Sequence, residues 1–331
     1  MAMPHRAIMS AQARARMYTG SMNLCRGTQN WKGQVNDMVG KKKSFLITYL
    51  VPTLLLYGIF CLYPCVKSLF LSLCSWSGFS ENIKFVGLAN FKRLLEDPIV
   101  WKALGNNVFI LIFCTIFTFS IALAFAVMVT RKKSKYHQGL RIIYFIPYVM
   151  SIAVVSVLWM FIYNPSFGLV NGFLGKIGLS KLQHVWLGET NVIMGALTVP
   201  LVWINIGFYM IMFIAAILNI PDDRYEAASI DGASAWQQFV HITIPGIWQE
   251  IRTSLVFFCV TAFNYSFELV YVMTKGGPNR ASELLTTYLY ENAFTYSDYG
   301  YASTIGVLLF GILFLIIFAI MRLTKAGCRD E

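Results

Sequence analysis

The sequence predicts an all-α, polytopic membrane protein with six transmembrane helices, and three observations predict it. First, the 331 residues are 57% hydrophobic and only 13% charged, where a soluble globular chain is about half apolar and a quarter charged. Second, six stretches approach the roughly 20 apolar residues that cross a bilayer: 44–66, 107–130, 142–163, 192–218, 253–273 and 301–321. Third, lipid offers no hydrogen-bond partner to an open backbone group, so the spans must be helices.

The basic residues give the orientation. With the N-terminus inside, 18 Lys and Arg fall in inside segments and 9 in outside ones. That bias places both termini in the cytoplasm. It also accounts for the net charge of +11 without nucleic acid, the partner such a charge would suggest in a soluble chain. The seven cysteines are odd in number and form no C-x-x-C pair. They are expected to act as small hydrophobes, not as a disulfide framework or metal site.

Taken in order, residues 1–43 form a basic N-terminal segment with no apolar run, hence no signal peptide. Residues 1–37 are expected to be disordered or an over-extended start, with Met38 as a natural beginning. The six-span membrane region covers 44–323, and 324–331 is a short cytoplasmic tail. The first span carries Pro52 and Pro64. Next, Asn90 is expected to cap a short surface helix through Glu96, with Pro98 opening the following turn. The second span ends in the basic loop "TRKKSKYHQGLR", and the third reads "IIYFIPYVMSIAVVSVLWMFIY". In the outer loop that follows, Trp186 suits an interface.

Between the fourth and fifth spans lies "YEAASIDGASAWQQFVHITIP". Asp223 precedes Glu226 by three residues and Ser234 precedes Gln237 by three, the spacing of two capping boxes. Gly232 suits a left-handed cap, and Pro245 stops the second segment. Two short helices with a sharp turn are therefore expected on the cytoplasmic side. Ile230, Phe239, Val240 and Ile242 would need something to pack on.

Glu226-Ala227-Ala228, then Gly232, then Ile242-Thr243-Ile244-Pro245 resembles the cytoplasmic loop of permease subunits of ATP-binding-cassette importers. Ile244 stands where that family usually has leucine, a swap that keeps volume and apolarity. "GLANFKRLLEDP", "VMTKGGPNRASELLTTYLYENAF" and "YGYAS" look like its carbohydrate-importing branch, and Thr274–Pro278 is similar to the maltose-first-subunit, lactose or glycerol-phosphate type. The resemblance covers nearly everything after about Lys42.

The resemblance implies a half-path for a sugar or sugar derivative. It also implies a second permease subunit, two cytoplasmic ATPase subunits and an external solute-binding protein. ATP and Mg would belong to the ATPase, and this chain would bind no cofactor, no metal and no nucleic acid. It would be no enzyme, and it has no G-x-x-x-x-G-K-[ST] loop to cradle phosphates. By family position, Glu226, Ala227, Ala228, Asp231, Gly232, Ile242 and Pro245 would couple to the ATPase. Trp203, Asn205, Ile206 and Gly207 in the fourth span, with Phe263, Asn264, Ser266 and Glu268 in the fifth, would line the solute path. Their alternative is ordinary packing and interhelical hydrogen bonding. Glu268 is the only acid inside the spans, so an ion-coupled secondary carrier is the rival reading. No Ser/His/Asp set or metal-ligand cluster is visible.

Overall fold

The computed structural model describes residues 47–78, 82–131 and 137–324. The basic N-terminal segment, the first residues of the first span and the tail beyond Thr324 lie outside them. The chain divides into two units, Met1–Lys67 and Ser68–Glu331. In the first, the described residues belong to an apolar helix, α1 (Ile47–Leu71), which contains one wide π turn at Gly58–Leu62.

The second unit is helical apart from a two-residue antiparallel ladder, β1 (Cys74–Ser75) with β2 (Lys84–Phe85). Its elements follow as α2 (Ala89–Glu96), α3 (Pro98–Arg131), α4 (His137–Val149), α5 (Ile152–Ile162), α6 (Leu169–Lys176), α7 (Ile193–Leu218), α8 (Asp222–Ile230), α9 (Ala235–Gln238), α10 (Trp248–Met273), α11 (Leu285–Tyr290) and α12 (Tyr299–Leu323). Among the described residues, α1, α3, α7, α10 and α12 are long and apolar enough to cross a membrane, and α4 with α5 makes a sixth crossing as a bent pair.

Three local expectations change. The second crossing is longer than 107–130: one unbroken helix of 34 residues starts at Pro98, where a proline at the first helical position costs no hydrogen bond. Asn90 does not cap α2; its side-chain amide donates to the Ser72 and Cys74 carbonyls at 3.0 and 2.9 Å. The third crossing is not straight, because α4 and α5 meet at 99°. Pro147 lies inside α4 and cannot donate to the carbonyl of Ile143. The helix ends two residues later, and Ser151 takes extended backbone at ψ 136.

The centre of the unit is α7. Its apolar window is 61% buried, against 17% for α12. Tyr209 and Phe213 of α7 and Phe258 of α10 converge on Phe119 of α3, with ring centroids 5.0, 5.5 and 5.7 Å away. Helices in lipid gain little from the hydrophobic effect between themselves, so shape fit of this kind holds them. Gly207 gives the closest fit. A Cβ there would lie 1.9 Å from the carbonyl oxygen of Tyr144 in α4, so only glycine lets α4 and α7 approach this closely.

Candidate functional site

The stretch between α7 and α10 folds into an elbow. α8 begins directly after Pro221, whose fixed φ of −57 sets up its first turn. The first expected capping box does not form: Asp223 sits within the helix and its carboxylate accepts from the Arg224 N–H at 3.0 Å. The second does form. Ser234 Oγ accepts from Gln237 N–H at 3.3 Å, and Gln237 Oε1 accepts from Ser234 N–H at 2.7 Å. Between them Gly232 takes φ +76, a left-handed turn that an L side chain resists. After α9 the chain widens into a π turn at Phe239–Thr243. Pro245 does not end the segment by itself; a short turn of helix, Ile244–Gly246, carries on to Ile247.

One face of the elbow packs and the other is bare. Ile242, Tyr225 and Ile247 join the core cluster. Glu226, Ala227, Asp231 and Gly232 are exposed, as are Ile230 at 87% and Trp236 at 70%. So of the four apolar residues that needed a partner, Ile230 stays bare among the described residues. A hollow of about 460 Å³ runs along α8, lined by Asp222, Tyr225, Glu226, Ser229 and Ile230. A second, of about 620 Å³, lies at the base, between the ends of α3 and α7 and the elbow. Trp236, its ring 5.4 Å from that of Phe239, is an exposed aromatic on the same bare face that sequence reasoning passed over. Its signal was a tryptophan in the first turn after a capping serine.

At the other end of α3 the chain is clamped. Asp97 caps α3 by accepting from Ile99 N–H at 2.9 Å, and it accepts the hydroxyls of Tyr288 and Tyr301, each at 2.7 Å. Burial opposes the Asp97 charge, but these donors outweigh it and hold the carboxyl below the usual range. Arg93 pairs with Asp298 at 2.6 Å and stacks 3.8 Å over the Tyr301 ring. Asn106 donates to the Ala281 and Glu283 carbonyls at 3.0 and 2.9 Å, and Asn107 accepts from Leu285 N–H at 2.9 Å. Glu283 is buried, which pushes its carboxyl up, while Thr287 and Arg280 oppose that shift. Gly276, at φ +83, passes directly over it; a Cβ would meet Glu283 Oε2 at 2.6 Å.

The eight solute-path candidates do not share one surface. Trp203 meets Trp159 edge-on at 5.9 Å and, with Ile206, lines an apolar groove of about 500 Å³ beside Phe109, Phe113 and Phe117. Asn205 is buried and donates to its own helix, at the Leu201 carbonyl, 2.7 Å. Gly207 is pressed against α4. Phe263 is buried beside Leu94, Val100 and Leu285, and Ser266 donates to the Phe263 carbonyl at 3.1 Å. Asn264 and Glu268 are exposed, one turn apart on α10.

A different group of aromatics converges where α4 breaks. Tyr148 stacks on Phe208 at 4.6 Å and 15°, and Phe257 lies 5.8 Å from Phe208. These rings are only partly buried. In a chain that is 15% aromatic nothing in the sequence set them apart.

Residues 116–327 match the family model described as binding-protein-dependent transport system inner membrane component. The chain belongs to that family. It is 38% identical to the "Probable ABC transporter permease protein YurN" of Bacillus subtilis, over 88% of this chain and all of that one. It is 33% identical to the "Diacetylchitobiose uptake system permease protein NgcF" of Streptomyces coelicolor, over 86% of this chain and 84% of that one. A crystal structure of a bacterial ABC transporter involved in alginate import contains a chain with the same fold, at a TM-score of 0.76 and 24% identity, covering 87% of this chain and 98% of that chain. Family membership agrees with a multi-pass inner-membrane protein. The family match spans the whole elbow, so the motif that suggested the family lies inside the region that matches it.

Proposed function

We propose that this chain is one permease half of an ATP-binding-cassette importer for a sugar or sugar derivative. The observation that carries the reading is the elbow: two short helices joined by the left-handed Gly232 and closed by the Ser234–Gln237 box, whose exposed face bears Glu226, Ala227, Asp231 and Ile230. A large apolar side chain at 87% exposure, on an element this well specified, fits a helix that enters a groove on another protein. In this reading the elbow faces the cytoplasm and docks on an ATPase subunit that holds ATP and Mg. Glu226 supplies charge at the contact, Ala227 and Ala228 allow close approach, and Gly232 sets the turn. Ile242 and Pro245 tie the moving part to α10. A second permease subunit completes the path, and an external binding protein delivers solute at the clamped end.

Sugar as cargo is supported by the relatives named for diacetylchitobiose and lactose uptake. The stacked pair Tyr148–Phe208 adds to the candidates in α7 and α10. Such half-open rings suit the apolar face of a pyranose, with hydroxyl partners at its rim. Purification of the tagged chain in mild detergent tests the assembly. The expected result is co-elution of a second six-span protein and an ATPase, in a complex that hydrolyses ATP. Elution alone, together with uptake that survives ATP depletion and stops with an uncoupler, would select the ion-coupled carrier.

A further inference from the structure

We infer that the Tyr225 and Thr243 hydroxyls form the clasp that makes the elbow move as one body with α10, and that Tyr225 is a positioning residue for coupling. The inference rests on reading the elbow as the ATPase dock.

The two hydroxyls lie 3.0 Å apart, joining α8 to the far arm of the elbow across 18 residues. Thr243 is 1% exposed, and the Tyr225 ring packs on the core cluster. Thr243 Oγ1 donates in turn to the Gln238 carbonyl at 3.4 Å. A hydroxyl both donates and accepts, so Thr243 Oγ1 can hold both partners at once. The chain of bonds closes on the π turn at Phe239–Thr243. That turn is explained by Pro245, which cannot donate to the His241 carbonyl four residues back. The Thr243 hydroxyl thus sits at the end of that wide turn and reaches back to its start at Gln238.

No salt bridge links the two arms among the described residues. A second side-chain tie among the described residues is Gln238, which donates to Ser229 Oγ at 3.0 Å and the Ala233 carbonyl at 3.3 Å near the exposed tip. The clasp is therefore the cross-brace next to the base, beside the hollow of about 620 Å³ that Tyr225, Gln238 and Thr243 help to line. A push on Ile230 or Glu226 can follow two routes. With the clasp closed, it turns both arms and the start of α10. With the clasp open, α8 swings into the hollow and the push is lost.

The test measures the distance between nitroxide labels at positions 230 and 250 in the complete transporter. Both positions are exposed, and genetically encoded side chains carry the labels because the chain has seven native cysteines. ATP with Mg and vanadate is the probe. The expected result is one narrow distance in the unaltered chain, unchanged by the probe. Tyr225→Phe and Thr243→Val should broaden it and let the probe shift it, with roughly a fivefold larger share of open elbows, the weight of one net hydrogen bond. Thr243→Ser should restore the narrow distance. A narrow, probe-independent distance in both Tyr225→Phe and Thr243→Val would overturn the clasp, as would broadening in Thr243→Ser equal to that in Thr243→Val. Subunits that dissociate in both variants would also overturn it, since the pair would then serve assembly only. A unaltered chain that never binds the ATPase fails the dock reading instead, a result visible before any variant is made.

Discussion

The elbow and the clamp sit at opposite ends of α3 and are built from different materials. The clamp joins residues about 200 apart in sequence through ionised groups: Arg93 with Asp298, and Asp97 with Tyr288 and Tyr301. The elbow is held by neutral bonds within its own stretch between α7 and α10, and its exposed face carries Glu226, Asp231 and Ile230. Charge-assisted bonds are about twice as strong as neutral ones, and partly buried ones are screened little. The contrast is that one end is fixed by the chain itself, while the other leaves Glu226, Asp231 and Ile230 exposed, which in the proposed reading serve another molecule.

The largest effect that could break this contrast is at Gly232. A Cβ there would meet nothing within 4 Å, but φ is +76. Gly232→Asp should therefore leave the protein in the membrane at normal abundance, because only one left-handed residue is strained, at roughly 1–2 kcal/mol. Uptake should fall to background. Normal uptake by cells carrying this variant would remove the elbow from the mechanism.

A smaller effect sharpens the other half. Asp97→Asn removes the charge that accepts three hydrogen bonds and should destabilise the clamp by about 2 kcal/mol, read as a lower melting temperature in detergent. The pH dependence has a definite sign. The Asp97 carboxyl is held below its usual range, so its contribution is complete above the unfolded value near 3.9 and is lost as pH falls through the lower folded value. The unaltered chain should lose stability over that acid limb, and Asp97→Asn should flatten it. Uptake by Asp97→Asn at neutral pH should fall far less than by Gly232→Asp.

The two ends also differ in how well the sequence announces them. The elbow is local. Its Gly232 turn and its Ser234–Gln237 box each need only neighbours within three residues, and both formed. The Asp223–Glu226 spacing was equally local and misled, because Pro221 started α8 early enough to place Asp223 inside it. The clamp is non-local: nothing near Asp97 says that tyrosines 191 and 204 residues away will donate to it. The spans were legible from composition. The 99° bend was not, although Pro147 was in view, since a proline in a membrane helix kinks or not according to what packs against it. The same holds for the candidate path. Polar and aromatic residues in α7 and α10 could be seen, but which of them look inward depends on the α4 crossing that Gly207 permits. Sequence position put Gly207 among residues that touch solute, and its backbone contact with Tyr144 gives it a packing position that brings Tyr148 onto Phe208.

The most direct test of the central claim, that the bare face of the elbow is gripped by a nucleotide-driven partner, is photo-crosslinking from position 230. A benzophenone side chain placed there, in the assembled transporter in membranes, should give one adduct, with the ATPase subunit. The yield should change when ATP with Mg and vanadate is added. Adducts only with lipid or with this chain, or labelling of the same position by a membrane-impermeant reagent added outside intact cells, would contradict it.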